Sequence, residues 1–318
     1  MLKLIQNEWV KIWKQKSTLL MMVLVILMVF AAGGLMKYFD SKEPPAKSDW
    51  KQELQAENKN LKQNLEQMDM AAPSAIEYQK KQIAINEYRI KHDLAPDQER
   101  TVWTFLRDST DFISFAGLFV IIVAAGIVAH EFSWGTIKIL LIKPYKRWKV
   151  LLSKYLSVNL FFLLMLAVVF VTAGITGFVL FGSGEAANNV HLAYVDGKVV
   201  EQNLFFYLVK TYALNSLSVY MLVTMAFMIS AVFRNSGLAI GLSVFLLLMG
   251  GTITNLLAAK FDWAKYSLFA NTNLMQYFDG IPLVEGMTMT FSITMLLIYF
   301  AIFHLLAFGI FTKRDISV

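Results

Sequence analysis

Long uninterrupted apolar runs alternate with polar, charge-rich segments along this chain. Six runs, at about 19–36, 112–129, 156–181, 209–233, 236–258 and 288–311, match the roughly 20 residues that a helix needs to cross bilayer hydrocarbon. The first, LLMMVLVILMVFAAGGLM, carries no charge. The block FFLLMLAVVFVTAGITGFVLF leaves no polar face, as expected of a helix surrounded by lipid and by other helices. Period-two alternation with polar residues is missing, which argues against a transmembrane β-barrel. The pattern predicts an all-α integral membrane protein with six transmembrane helices, an N-terminal interfacial helix and an external helical hairpin insert.

The intervening segments have patterns of their own. In residues 1–18, Leu4, Ile5, Trp9, Ile12 and Trp13 fall on one helical stripe, with the lysines mostly elsewhere. Such a helix can lie in the headgroup layer, tryptophans toward lipid and lysines toward phosphate; the plainer alternative is a basic flank that fixes topology. Within 37–110, Leu54, Leu61 and Met68 recur at heptad spacing, as do Ile76, Ile83 and Ile90, with Pro73 between the runs. That predicts an antiparallel helical hairpin with arms of about 30 Å at 1.5 Å per residue. Its apolar seam is thin, and its role is left open between a partner-binding arm and a solvated insert. Residues 182–208 form an external loop whose VDGKVV stretch, Val195 to Val200, has the character of a small hairpin turn. Residues 259–287 are rich in aromatic side chains, which favour the membrane–water boundary, so this segment either re-enters the outer leaflet or rests on it.

Composition supports the membrane reading. The chain of 318 residues is 57% hydrophobic and 16% charged, against about a quarter charged in soluble domains. The small residues Ala31, Ala32 and Gly33 are compatible with a signal-peptide cleavage site, but the apolar run outlasts the 7–15 residues of an ordinary signal core, which favours a retained anchor. The net charge of +6 is unevenly spread. Lys3, Lys11, Lys14, Lys16, Lys138, Lys143, Lys146, Arg147, Lys149, Lys154, Arg234, Lys313 and Arg314 fall on one side of the predicted topology. The short loops of the other side hold Lys198, Lys210, Lys260 and Lys265. The positive-inside rule therefore places both termini, including the 312–318 tail, in the cytoplasm. Charge spread in this way is a topology signal and gives no reason to expect nucleic acid as a partner.

Candidate chemistry is sparse. Zero cysteines exclude disulfides and thiol catalysis, and four dispersed histidines make a histidine-rich metal centre improbable on composition. His130-Glu131 begins like a zinc-protease motif, but Trp134 stands where the second histidine belongs. No phosphate-binding G-x-x-x-x-G-K-[ST] stretch and no G-x-S-x-G elbow occur, so no enzyme site is expected. Inside the spans, Asn215, Ser218, Thr252, Asn255 and His304 are candidates for a polar seam, or simply for helix–helix hydrogen bonds. His304 is expected to be neutral and bonded to a neighbouring helix. Gly237 and Gly241 form a small-x-x-x-small pattern that permits close helix contact.

The loop 130–155, HEFSWGTIKILLIKPYKRWKVLLSKY, is the most patterned polar segment. Ile137, Leu140 and Leu141 fall at helical spacing after Gly135-Thr136 and before Pro144, which predicts a short amphipathic helix parallel to the membrane. An exposed apolar face beside a fixed charge pattern suits a protein partner. The arrangement Glu131, Gly135, Thr136, Lys143, Pro144, Arg147, Lys154 just after the second span resembles the cytoplasmic loop of type-2 ABC exporter permeases, bacterial six-span subunits. Asn273, Leu274 and Tyr277 add to the likeness, while the long insert at 37–110 departs from it.

The resemblance implies a coupling helix that docks in a groove of a separate ABC ATPase subunit. Glu131, Gly135 and Thr136 would then start or cap that helix, Lys143, Pro144 and Arg147 would set the turn at its exit, and Lys154 would anchor the third span at the headgroups. It also implies a bacterial cell-membrane location, pairing with a second permease copy or paralogue, and no cofactor on this chain, ATP and magnesium being held by the partner. The function expected is export of an amphiphilic or hydrophobic substrate. A membrane sensor or scaffold, with the hairpin binding a ligand and the loop relaying it, is the alternative.

Overall fold

A computed structural model describes residues 1–42, 49–67, 73–96, 100–137, 145–182, 190–195, 197–233, 235–278 and 282–313. Six helical runs are long and apolar enough to cross a bilayer: α2 (Lys16–Asp40), the broken run Val102–Ser133, α8 (Arg147–Phe181), α9 (Leu204–Val232), α10 (Ser236–Ala258) and α12 (Met289–Lys313). The broken run consists of α5 (Val102–Asp108), a 3-10 turn at Ser109–Asp111, α6 (Phe112–Gly126) and α7 (Ala129–Ser133). α6, α8, α9 and α12 supply most of the main apolar core, which includes Val120, Phe161, Met165, Val223 and Phe303. Glycines allow close approaches, two of them between membrane-length helices. A β-carbon at Gly117 of α6 would come within 2.4 Å of Val219 Cγ1 on α9, and one at Gly33 of α2 within 2.5 Å of Thr176 Cγ2 on α8. A β-carbon at Gly241 would meet nothing within 4 Å and one at Gly237 only the Asn235 side chain, so among the described residues the small-residue pattern at 237–241 meets no other helix.

α1 (Leu2–Lys14) lies against the first turns of α8, at what is here termed the near end of the bundle. Its packing corrects the sequence expectation. The face turned inward carries Glu8 and Ile12, both 4% exposed, so the apolar stripe has a carboxylate within it and seals against protein as well as lipid. The third span also starts earlier than hydropathy suggests. α8 begins at Arg147, so the connecting segment expected over 130–155 is helical at both ends.

The far end carries the insert. α3 (Trp50–Glu66) and α4 (Pro73–His92) pair antiparallel, with Lys51–Asp93 (2.6 Å) and Lys62–Glu87 (2.7 Å) as ion pairs along the seam. Between them Asn86 donates to the Asn58 side chain at 3.0 Å, and Leu54 and Ile83 are buried beside this pair. A buried amide pair in a thin apolar seam fixes register at some cost in stability. The loop between α8 and α9 is not purely irregular. β1 (Val190–Val195) and β2 (Lys198–Asn203) form an antiparallel hairpin, a small departure from an all-α fold. Gly197, at φ +79°, occupies the turn, where a residue without a β-carbon is favoured. Tyr88 of α4 donates to Glu201 of β2 at 3.2 Å and joins the two hairpins.

Residues 261–278 fold as 3-10 turns Asp262–Tyr266 and Leu274–Tyr277 around α11 (Leu268–Thr272). Fully buried Asn271 holds this cap together, donating to the carbonyls of Lys265 and Ser267 and accepting from Ser292 of α12 at 2.6 Å.

Candidate functional site

A closed ring of charges stands at the near end, where α1, α7 and α8 meet. Lys154 Nζ bridges Glu8 Oε2 at 2.7 Å and Glu131 Oε1 at 2.9 Å, and Lys11 Nζ bridges Glu8 Oε1 and the same Glu131 oxygen, both at 2.9 Å. The remaining oxygen of Glu131 accepts from the Thr136 hydroxyl. The Lys154 side chain is 1% exposed and that of Glu8 5%. An unpaired charge so placed would be very costly, and a pair is tolerated only when its hydrogen-bonding capacity is filled. Here two carboxylates face two ammonium groups, and each carboxylate oxygen has a donor. Burial opposes the charge on Lys11, yet Glu8 and Glu131 outweigh it and raise the ammonium above its ordinary range.

Local sequence explains how each member arrives. Glu8 lies three residues after Ile5 and four before Ile12, hence on the buried face of α1. Ser157 reinforces the contact by donating to the Ile5 carbonyl at 3.3 Å. Lys154 sits two turns inside α8, deep under α1 rather than out among headgroups, which corrects the anchoring role expected for it. Glu131 is carried by α7, which restarts the helix after a break at Ile127–Val128. The freed amides of Val128 and Ala129 both donate to Ser230 Oγ of α9 at 3.1 Å. α7 is thus suspended from α9.

Gly135 follows at φ +72°, a left-handed conformation in which other residues are strained. It turns the chain so that Thr136 folds back onto Glu131 and Ile137 enters the core at 3% exposure. Trp134, 67% exposed, stacks on the His130 ring at 4.8 Å between centroids. Arg147, the first residue of α8, donates to the carbonyl of Thr312 near the end of α12 at 3.4 Å. Cations suit the unpaired carbonyls of a helix C-terminus. Lys143 and Pro144, with Leu140 and Leu141 of the expected amphipathic helix, lie outside the described residues.

The structure therefore brings together Glu131, Thr136 and Lys154, with Gly135 setting the turn, and adds Glu8, Lys11 and Ser230, which the sequence reading passed over. One signal was available. Glu8 is the only acidic residue in a basic stretch, and it falls on the apolar stripe instead of the polar face.

The five candidates for a polar seam are placed differently. Thr252 and Asn255 are exposed on α10, Asn215 is half-buried on α9, and Ser218 donates to the carbonyls of Leu214 and Thr272. His304 bonds through Nδ1 to the Phe300 carbonyl of its own helix at 2.9 Å, not to a neighbouring helix. Its ring meets Tyr155 edge-on at 4.8 Å, and Tyr155 in turn shares hydrogen bonds with Tyr220 and Thr224. Among the described residues, no group of three histidine or acidic side chains is placed to hold a metal ion.

Chemically the ring is a fastener. Its charged groups are engaged with one another, and the elements they tie are the two ends of the segment between the second and third spans plus the N-terminal helix. Residues 74–317 match a family described as "Protein of unknown function (DUF2705)". The chain is 52% identical over 318 residues, all of both chains, to "Uncharacterized protein YhcI" of Bacillus subtilis strain 168. It is 34% identical over 203 residues to "Uncharacterized membrane protein YdbK" of the same organism, covering 62% of this chain and 76% of that protein. The membrane-protein name of one relative agrees with the six apolar helical runs, and the chain is a membrane-embedded helical protein.

Proposed function

The chain belongs to the DUF2705 family, and from that premise we propose that it is the transmembrane permease subunit of an ATP-driven exporter, worked by a separate ABC ATPase and moving an amphiphilic or hydrophobic substrate. The near end then faces the cytoplasm with both termini, in keeping with the lysine and arginine bias of the loops. The ATPase docks on the 131–147 region, a second copy or a paralogue completes the membrane unit, and ATP and magnesium stay on the ATPase.

The observation that carries this reading is the ring of Glu8, Lys11, Glu131 and Lys154, in which Lys154, Glu8 and Glu131 are buried and the exposed Lys11 closes the outer side. A segment that transmits force needs both its ends fixed to the elements it moves. Here Glu131 lies before the segment, Lys154 lies after it, and both grip the same helix, α1. A push delivered between them shifts α1, α7 and the start of α8 together, the rigid-body motion by which packed helices switch between states. The absence of Asp, Glu, Lys and Arg from the middle of the six apolar runs favours a cargo that does not need charged ligands in the hydrocarbon.

Purification of the full chain from native membranes in mild detergent tests the reading. The expected result is a co-purifying P-loop ATPase whose hydrolysis is altered by Glu131→Ala. Recovery of no nucleotide hydrolase, together with labelling of Lys146 from outside intact cells, overturns it.

A further inference from the structure

A groove opens on the flank of the molecule between α8 and α9, toward the far end. Its volume is about 400 Å³, within the range of pockets that accept small ligands. Trp103 and Leu106 of α5 border it, Ala167 and Phe170 line it from α8, and Tyr212 and Ala213 line it from α9. The two alanines leave the space: at these positions neither helix fills the gap, while Phe170 and Tyr212 meet edge-on across it at 5.5 Å. The Tyr212 hydroxyl is already committed to the Leu106 carbonyl at 3.0 Å, so it is not offered to a ligand.

What covers this surface follows from where it lies. Both walls belong to helices long and apolar enough to cross a bilayer. The rim residues Phe170, Phe205 and Val209 are each more than half exposed and run into the outward apolar face of α8 at Leu163 and Val171. The groove is thus continuous with the surface that meets hydrocarbon. A polar ligand entering it would lose hydrogen bonds to water and find few in return. Left empty, the lining would forgo its dispersion contacts. Trp103 is of the residue type that settles at the membrane–water boundary. Arg107, four residues later and on the same side of α5, keeps a side chain 40% exposed despite its pairing with Asp108. A cation therefore stands beside a side chain of the boundary-seeking type.

We propose that this groove is a binding site for one acyl chain of a phospholipid, which enters sideways between α8 and α9 with its headgroup beside Trp103 and Arg107. The inference goes beyond the exporter reading and holds whether or not the chain works with an ATPase.

The test uses the full chain in lipid nanodiscs doped with phosphatidylglycerol that carries a photoreactive diazirine midway along one acyl chain. Adducts are mapped by mass spectrometry after irradiation. The expected result is labelling of 163–170 and 205–216 several-fold above that of the open apolar surface at Leu256 and Leu305. Ala213→Trp, which fills the groove, should remove the excess while leaving the label at Leu305 unchanged. If that variant does not fold, Ala167→Phe fills the groove from the opposite wall and is read in the same way. Groove labelling no greater than at Leu305, or an excess that survives in a folded groove-filling variant, overturns the proposal.

Discussion

The two ends of the bundle hold the second span in different ways. At the near end, Glu131 is locked into a ring with Lys154, Lys11 and Glu8, in which the Lys154 side chain is 1% exposed. At the far end, Arg100 pairs with Asp40 at the end of α2 and with Asp108 at the end of α5, but these side chains are 24%, 35% and 27% exposed. The chemistry is the same and the surroundings differ. Water and salt screen the far cluster, so it contributes little and yields easily. In the near ring Lys154, Glu8 and Glu131 are shielded while Lys11 is 43% exposed, so it is the inner three that are costly to leave without their partners. One end is closed by pairs whose inner members are buried, and the other by more solvated pairs.

The largest effect is expected from Glu131→Ala, which removes the carboxylate shared by both lysines and strands Lys154 with Glu8 alone. Breaking a buried ion pair from one side typically costs about 3–5 kcal/mol, seen as a large drop in thermal midpoint in detergent. If the exporter proposal holds, ATP-driven transport is abolished while membrane insertion persists. The paired change Glu131→Gln with Lys154→Met leaves Glu8 and Lys11 as an intact couple and should recover much of the stability. A double variant no better than Glu131→Ala would contradict the ring as a charge-balanced unit.

Next in size is Gly135→Ala. At φ +72° the β-carbon is strained, for a cost of about 1 kcal/mol or more. Under the same proposal transport falls further than stability, because the strain lies between Glu131 and Thr136. Arg100→Ala at the far end should cost about 1 kcal/mol or less. Its effect should shrink in high salt, whereas that of Glu131→Ala should not; equal salt sensitivity would erase the contrast between the ends. The smallest effect on insertion is expected from deleting 48–95. That deletion removes the Tyr88–Glu201 bond but none of the backbone hydrogen bonds of a membrane-crossing helix. Rapid degradation of the shortened chain would show that the hairpin supports the bundle.

Much of this architecture was legible before any coordinates. The apolar runs at 19–36, 112–129, 156–181, 209–233, 236–258 and 288–311 each fall on one of the six long helical runs, though the second and third helical runs begin nine or ten residues earlier, because each apolar run is long enough to satisfy its own backbone bonds without reference to the rest of the chain. The heptads around Pro73 predicted α3 and α4 for the same local reason. Of the linear motif, Glu131 and Lys154 sit in the ring and Thr136 donates to it. Hidden were its other half, Glu8 and Lys11, and the hanger at Ser230. In residues 1–18 the lysines read as topology and the apolar residues as a lipid-facing stripe, since local periodicity does not say whether a face meets lipid or protein.

Helix lengths, spans and turn glycines follow from properties carried by neighbouring residues: hydropathy, periodicity, and the steric freedom of a position such as Gly135. The ring joins Glu8 and Lys154 across 146 residues, and its stability depends on burial, which no residue possesses until helices from distant parts of the chain have packed. A carboxylate in a basic stretch and a lysine at a helix start are ordinary surface features in a linear chain. Once α1 covers the start of α8, water is excluded, and the same groups must find one another.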